Sequence, residues 1–408
     1  MGEGLRGPEY LRGKLIQKRA RVLRRYRFYE MKNMVRELGI STPPELRWLA
    51  LSLGWCAKAV DSMADRLVFR GFKDDNFELD EIFRMNNPDT LFDSAILSAL
   101  ISSCCFLYIS PDEDGYPRLQ VIDGGNATGI IDPITGLLRE GYAVLERDDR
   151  KKPVLEAYFA PGVTSYYRAG RVERETRAEV AYPLLVPVIY RPDAARPFGH
   201  SRISRACMSL VCSAVRTVKR SEISAEFYSF PQKWVTGLSN DAELMDGWKS
   251  AMSAMLSFTR DERNEYPTVG QFSQQSMAPH MEQLKMLAAL FAGETGLTMD
   301  DMGFATENPS SSEAIKAGHE NLRMACRKAQ RCFGTGFLNA GYLAACLRDE
   351  FPYLRRQLYL TTPTWEPIFE PDAATLSSVG DGAIKLNQAV PDYITADVLR
   401  DLTGIAGG

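Results

Sequence analysis

Apolar residues at helical spacing alternate along the chain with shorter segments of strand-like character. Apolar side chains recur every three or four residues after the capping sequence Thr42-Pro43-Pro44-Glu45, which predicts an amphipathic helix to about Leu67. A second helix is predicted over 89–103, introduced by Asn87-Pro88. One apolar face from 203 to about 228 predicts a long helix, since roughly 30 residues at about 1.5 Å each span about 45 Å.

The pattern changes between 105 and 192, where short β-rich segments alternate with turn signals such as Asp114-Gly115 and Ala169-Gly170. Alternation and β-branched content predict an antiparallel sheet there. The predicted strands cover 106–110, 118–122, 138–146, 154–159, 165–168 and 185–190.

Beyond Pro231 the chain is again mainly helical, with one insertion. Residues 232–278 combine two strand-like segments (233–236 and 268–272) with a capped helix at 240–258. Helices are predicted over 279–292 and from the Ser310/Glu313 capping box through Cys332, with a kink at Gly334 and Gly336 before the helix resumes through Leu347. A strand over 358–365 and short helices within 381–402 complete the pattern. The fold class is α+β.

The net charge and the distribution of basic residues exclude some classes of function. The 408 residues carry a net charge of −3, which excludes a polycation that coats nucleic acid by charge alone. The exception is the segment 5–39, where eleven Lys or Arg residues are interleaved with aromatics. This segment would either hold nucleic-acid phosphates or form a solvated helix face matched to acidic neighbours in an assembly. No apolar run reaches the roughly 18 residues of a membrane span.

No motif predicts catalysis, a metal or a cofactor. The nearest approach to a phosphate-binding loop, Gly7 to Lys14, is one residue too long and has Leu15 where Ser or Thr would bind magnesium. The acidic turn around Asp112 lacks the bidentate carboxylate of a calcium loop. The three histidines lie far apart in sequence. The chain is therefore predicted not to be an enzyme, and no catalytic or metal-binding residue is assigned.

Several segments, in one order along nearly the whole chain, resemble the portal proteins of tailed siphophages. They are Trp55–Asp61, Arg70–Phe72, Phe198–Ile203, Phe230–Gly237, Tyr266–Phe272, Pro279–Leu284 and Asn308–Ile315. The resemblance implies a portal fold with long stem helices, a β-rich wing and a small α/β clip insertion. It also implies a ring, usually of twelve subunits, at one capsid vertex, through which double-stranded DNA is packaged and ejected.

The order of elements suggests how the portal regions divide this chain. The resemblance places the wing at 1–197 with a return at 335–375, the stem helices at 198–230 and 279–297, and the clip at 231–278. The tunnel loop and its helix would occupy 298–334, and a short crown or C-terminal tail 376–408. Portals with a large helical crown extend further at this end than the present sequence does.

The same resemblance suggests which side chains act. The tunnel loop would expose small polar residues to the DNA channel, together with one carboxylate and one lysine: Glu307, Asn308, Ser310, Ser311, Ser312 and Lys316. Basic candidates on the stem, for the channel wall or a neighbouring subunit, are Arg202, Arg205, Arg216, Lys219 and Arg220. Clip residues that would dock partners are Lys249, Arg260, Asp261, Glu262 and Arg263.

The implied partners are other copies of this chain, double-stranded DNA, the terminase, the major capsid protein and head-completion or adaptor proteins, without a membrane. The implied location is the virion, at the capsid vertex, after assembly in the host cytoplasm. Two alternatives stay open. One is another virion structural protein, from the capsid or head completion, and the other is a non-enzymatic helical protein that binds nucleic acid through the basic segment.

Overall fold

The computed structural model describes residues 4–35, 50–229, 233–236, 268–271, 276–304, 317–369 and 373–403. Its helices are α1 (Gly7–Tyr29), α2 (Trp55–Ala64), α3 (Leu79–Arg84), α4 (Pro88–Ser102), α5 (Arg205–Ser229), α6 (Ala278–Thr295), α7 (Glu320–Arg348), α8 (Ala373–Ala389) and α9 (Ala396–Thr403). Its strands are β1 (Phe69–Lys73), β2 (Cys104–Pro111), β3 (Pro117–Asp123), β4 (Ala127–Ile131), β5 (Leu138–Arg147), β6 (Pro153–Ala160), β7 (Val163–Arg168), β8 (Arg171–Arg177), β9 (Leu185–Ile189), β10 (Lys233–Thr236), β11 (Thr268–Gln271) and β12 (Thr362–Trp365). The predicted α+β class is confirmed.

The centre of the fold is a three-stranded antiparallel sheet in the order β3-β2-β9. The β2 sequence CCFLYI is a continuous apolar run because both faces of this strand are covered. Cys105 faces α4, where its Sγ lies 3.1 Å from the Ala95 carbonyl oxygen. Phe106 and Tyr108 face the other side, where their rings contact Phe198 and Phe159. The strand therefore joins two layers of the core.

A second sheet is a five-stranded antiparallel meander, β4 to β8 in chain order. The sequence pattern predicted its β5, β6 and β7 but not β4 or β8. β8 has the sequence RVERETR and a largely exposed surface, so it shows no apolar alternation and is defined only by its pairing with β7. The predicted turn at Ala169-Gly170 is confirmed, with both residues at positive φ.

The basic helix α1 lies across the meander. Its apolar side chains Leu11 and Leu15 are buried against Tyr142 and Val144 of β5. Both oxygens of the buried Glu140 carboxylate accept hydrogen bonds from the first amides of the helix, Arg6 N and Gly7 N, each at 3.0 Å. The positive end of the helix dipole stabilises a carboxylate at this place.

Arg12 of α1 pairs with a second buried acid of the meander. Its Nη2 lies 2.7 Å from Oε2 of Glu156. The Tyr142 hydroxyl donates to the other Glu156 oxygen. Burial is the largest cause of a raised pKa of Tyr142, and this hydrogen bond is the second. Part of the basic segment is therefore matched to acids of its own chain.

Two expectations about helices were wrong. The helix predicted from Thr42 to Leu67 is only α2 in the described part, because residues 50–54 are not helical and Gly54 directly precedes its start; residues 36–49 lie outside the described part. The kink predicted at Gly334 and Gly336 does not occur, since α7 is helical through both. These glycines allow close packing instead: a Cβ on Gly334 would lie 2.8 Å from the Pro363 side chain, and one on Gly336 3.2 Å from Val188.

The rest of the pattern is largely confirmed. Helices α4, α5 and α6 match their predicted segments, and β10 pairs with β11 in an antiparallel ribbon. The predicted strand at 358–365 is shorter, Thr362–Trp365, and pairs with β1 almost 300 residues earlier. All eight cysteines are free thiols. In the part of the chain that the structure describes, every helix is too short or too polar to cross a bilayer.

Candidate nucleic-acid interface

Helices α5 and α6 form an antiparallel pair. Three polar contacts set the register: Ser204 Oγ donates to Glu294 Oε1 at 2.9 Å, Thr217 Oγ1 lies 3.2 Å from Gln283 Oε1, and Ser224 Oγ lies 3.4 Å from His280 Nε2. Partner numbers on α6 fall as those on α5 rise. The C-terminal end of α5 and the N-terminal end of α6 are therefore adjacent. In sequence, β10 follows this end of α5 and β11 precedes this end of α6.

Arg202 fixes the base of this pair. Its side chain is only 8 % exposed. Its Nε donates to the Ala59 carbonyl at 3.1 Å, and its Nη2 donates to the Thr295 carbonyl at 2.6 Å. Thr295 is the last residue of α6, and the negative end of the helix dipole there also stabilises a cation. The guanidinium thus joins α2 to the last turn of α6. Two of its N–H donors are used inside the chain, so it has a structural role here, and a role at DNA or at a neighbouring subunit stays a prediction.

The other predicted stem cations are arranged on one side of α5. At 100° per residue, Arg205, Arg216, Lys219 and Arg220 fall within an arc of roughly 100°. Arg205 is exposed, Arg216 and Arg220 are half-buried, and Lys219 is buried. Arg216 donates to Ser213 Oγ of the preceding turn at 3.1 Å. The structure brings these four residues together as a stripe along the helix.

A second basic face lies at the start of α7; sequence reasoning named Arg323 as a basic channel candidate there but missed Arg327, Lys328 and Arg331. Arg323 is held by Glu320 through two hydrogen bonds of 2.7 and 2.9 Å. One and two turns later Arg327, Lys328 and Arg331 are exposed. The signal was present, because positions 323, 327 and 331 have the four-residue spacing that places side chains on one helix face. Lys328 and Arg331 border a groove of about 920 Å³.

Asp301 and His319, which lie on the two sides of residues 305–316, are in contact. Asp301 Oδ2 accepts hydrogen bonds from Thr298 N and Oγ1, both at 2.9 Å, and lies 3.1 Å from His319 Nε2. Burial raises the pKa of Asp301, but the hydrogen bonds from Thr298 and His319 outweigh it, so the pKa is lowered. Residues on the two sides of 305–316 are therefore joined.

Two of the predicted sets cannot be placed. The tunnel-loop residues Glu307, Asn308, Ser310, Ser311, Ser312 and Lys316 lie outside the described residues. So do the clip residues Lys249, Arg260, Asp261, Glu262 and Arg263. Within the described ranges, no three His, Cys, Asp or Glu side chains are grouped as a metal site would require.

A long antiparallel helix pair, connected to a β-rich body, is the architecture that the sequence resemblance predicted. No protein-family model matches the chain. It is 23 % identical over 382 residues to the portal protein of Mycobacterium phage D29, covering 88 % of this chain and 77 % of that protein. Identity and coverage are the same for the portal protein of Mycobacterium phage L5. The predicted resemblance to portal proteins is thus confirmed.

Similarity to solved structures is weaker. A chain in the neck of an empty gene transfer agent (GTA) particle, computed with C6 symmetry, has a TM-score of 0.48 and 14 % identity, covering 87 % of this chain and 91 % of that one.

Proposed function

We propose that this chain is the subunit of a phage portal, the ring at one capsid vertex through which double-stranded DNA enters and leaves. The observation that carries the proposal is the 382-residue similarity to two mycobacteriophage portal proteins, which covers 88 % of this chain and 77 % of each relative. Similarity over that length involves the wing, stem and clip segments together, as a whole-protein role requires.

The contacts support the proposed division into regions. The α5–α6 pair is the stem, and the β10–β11 ribbon at its far end belongs to the clip at 231–278. The wing comprises the first 197 residues, and β12 returns to it by pairing with β1. Residues 335–375 are the return segment, and most of α8 and all of α9 lie in the crown or C-terminal segment at 376–408.

Ring assembly needs a surface that another copy can cover, and α6 offers one. Met286 and Leu290 are 52 % and 54 % exposed, lie four residues apart, and are flanked by the small exposed residues Ala289 and Gly293. Exposed apolar stripes of this kind are typical of protein contacts. We place a neighbouring subunit here, in a ring of about twelve copies by analogy with the portal family.

The DNA channel is proposed to pass the tunnel loop and the basic faces near it. Arg205, Arg216, Lys219 and Arg220 on α5 remain candidates, and the α7 residues Arg327, Lys328 and Arg331 join them. The tunnel loop and clip residues also remain proposals. Small polar side chains such as Ser310 would touch the DNA backbone without the strong phosphate pairing that arrests sliding.

The mechanism is a conduit and docking platform without catalysis. The terminase would bind the clip and supply ATP hydrolysis, and head-completion or adaptor proteins would replace it. The major capsid protein would surround the wing. Assembly is proposed in the host cytoplasm, with the final location at the capsid vertex of the virion.

Imaging of the purified protein by negative stain, with its mass from light scattering, tests the proposal. A closed ring with a central hole is expected, with about twelve copies. The double variant Met286→Gln/Leu290→Gln should give monomers or open arcs. Lys285→Gln, whose position is about 100° or more around the helix from both residues, should still close. A wild-type dimer that binds DNA would contradict the portal role.

The nucleic-acid-binding alternative has one observation in its favour: Arg21, Arg24 and Arg27 point to solvent from α1. Deleting the segment is not a clean test, because Leu11 and Leu15 belong to the core. Replacing Arg24 and Arg27 with Gln should keep the fold, because both side chains are exposed. If this alternative holds, DNA affinity should fall and lose part of its salt dependence.

A further inference from the structure

A cavity of about 450 Å³ lies between α1 and the edge of the two sheets. Five cationic side chains line it: Lys14, Lys18, Arg21 and Arg25 from α1, and Arg196 from the segment before α5. The structure describes every lining residue, and none is acidic. The nearby carboxylate of Asp123 accepts from Gly125 N and Asn126 Nδ2, both at 2.6 Å, and is thereby used in its own turn.

Lys18 is less well satisfied than Lys14 and Arg25, the other two cavity cations of α1 that are partly buried. Lys14 Nζ donates to the Gly129 carbonyl at 2.7 Å, and Arg25 Nη1 donates to the Ser102 carbonyl at 3.2 Å. Within the described part of the chain the Lys18 ammonium has no hydrogen-bond acceptor, and it lies 5.2 and 5.5 Å from the ring centroids of Phe106 and Phe198. Burial lowers the pKa of Lys18, and the nearby Cys104 and Asp123 offset this only in part.

Thr128 of β4 provides an independent indication. The residue is fully buried, and within the described residues its Oγ1 has no hydrogen-bond partner. It lines the same cavity as the cations. Buried hydroxyls are nearly always hydrogen-bonded, so an unpaired one beside five cations indicates a missing acceptor.

We propose that this cavity binds a phosphate group. A phosphate monoester carries about −1.5 to −2 charges and three strong acceptor oxygens, which suits several Lys and Arg donors better than a single carboxylate does. The volume lies within the roughly 300 to 1,000 Å³ of small-molecule pockets. The phosphate would come either from a free nucleotide or from a nucleic-acid backbone, and the site does not depend on the portal assignment.

Isothermal titration of the full-length protein at constant ionic strength tests this with four probes: inorganic phosphate, dAMP, a short DNA duplex and glutarate. Saturable binding of phosphate and dAMP indicates a free source. Binding of the duplex alone, lost in the pocket variants, indicates the backbone. Glutarate binding as tightly as any phosphate probe would overturn the proposal in favour of a carboxylate site.

Two variants separate ligand loss from misfolding. Lys18→Met and Thr128→Val each remove a polar group while keeping most of the side-chain volume. Without ligand, the melting temperature of each variant should therefore equal or exceed that of the wild type. Both should nevertheless weaken phosphate binding, Lys18→Met by about tenfold or more, since hydrogen bonds to charged groups are among the strongest.

Arg21→Gln and Arg27→Gln form a matched pair on the same helix, both exposed, of which only Arg21 lines the cavity. Arg21→Gln should weaken binding about fivefold, and Arg27→Gln should stay within about twofold of the wild type. The proposal is wrong if no phosphate probe saturates, or if Lys18→Met and Thr128→Val bind as the wild type does.

Discussion

Helix α7 has two halves with opposite surroundings. From Phe333 to Leu347 nearly every residue is buried, whereas the first half is amphipathic and exposes Met324, Arg327, Lys328 and Arg331. The buried half is covered on several sides by β9, β12 and α3, and the exposed half follows the predicted tunnel loop. A single helix therefore serves as a core element at one end and as a free surface at the other.

The difference shows how a rigid core can position a functional surface. Phe337 is fully buried among Phe69, Phe92 and Trp365, with centroid distances of 5.1, 4.7 and 6.2 Å. That packing fixes the direction of the whole helix, because a helix is stiff over its length. Substitutions in the two halves should consequently affect different properties.

The largest effect is expected at the buried end. Phe337→Ala removes a ring from an aromatic cluster and should lower the free energy of unfolding by about 3–5 kcal/mol. Met324→Ala, at a position 55 % exposed, should change it by less than about 0.5 kcal/mol. Denaturant melts of both variants test the contrast, and equal losses would contradict it.

Glycine substitutions test whether close packing, rather than flexibility, explains Gly334. Gly334→Ala should destabilise by about 1–3 kcal/mol, since the new Cβ would lie 2.8 Å from Pro363 and overpack the contact. Gly293→Ala on α6, with no heavy atom within 4 Å of its Cβ, should stabilise by up to about 1 kcal/mol. A stabilised Gly334→Ala in thermal melts would refute this role.

The Asp301–His319 contact at the entrance to α7 should have a smaller effect that depends on pH. Asp301→Asn should cost about 1 kcal/mol near neutral pH. Because the pKa of Asp301 is lower folded than unfolded, its contribution is present above the unfolded value of about 3.9 and is lost as the pH falls further. Wild type and variant should therefore converge in unfolding free energy below about pH 4. A constant difference from pH 3 to 7 would exclude this carboxylate as the cause.

The smallest effect on stability is expected on the exposed half of α7. The triple variant Arg327→Gln/Lys328→Gln/Arg331→Gln should unfold within about 0.5 kcal/mol of the wild type, as surface changes usually do. If the face lies on the channel, DNA binding by the assembled ring should weaken and its salt dependence should fall. A large stability loss would show that these residues belong to the core.

Much of the fold could be predicted because it follows from the local spacing of apolar residues along the sequence. The strands β2, β3, β5, β6 and β7 and the helices α4, α5 and α6 follow from apolar spacing and turn residues. β4 and β8 could not be predicted, since their pairing partners rather than their own patterns define them. The glycines of α7 were assigned to a kink because their close neighbours, Pro363 and Val188, lie far away in sequence.

The candidate site shows the same division. The sequence determined where positive charge stands on the helices and, through its resemblance to portal proteins, the order of the regions. Only the tertiary structure decided that Arg202 is buried against the carbonyls of Ala59 and Thr295, that Arg327 and Arg331 are exposed, and that Lys18 and Thr128 line one cavity. The physical reason is range: helical and strand periodicity act over a few residues, whereas burial and charge pairing depend on residues about 100 positions apart.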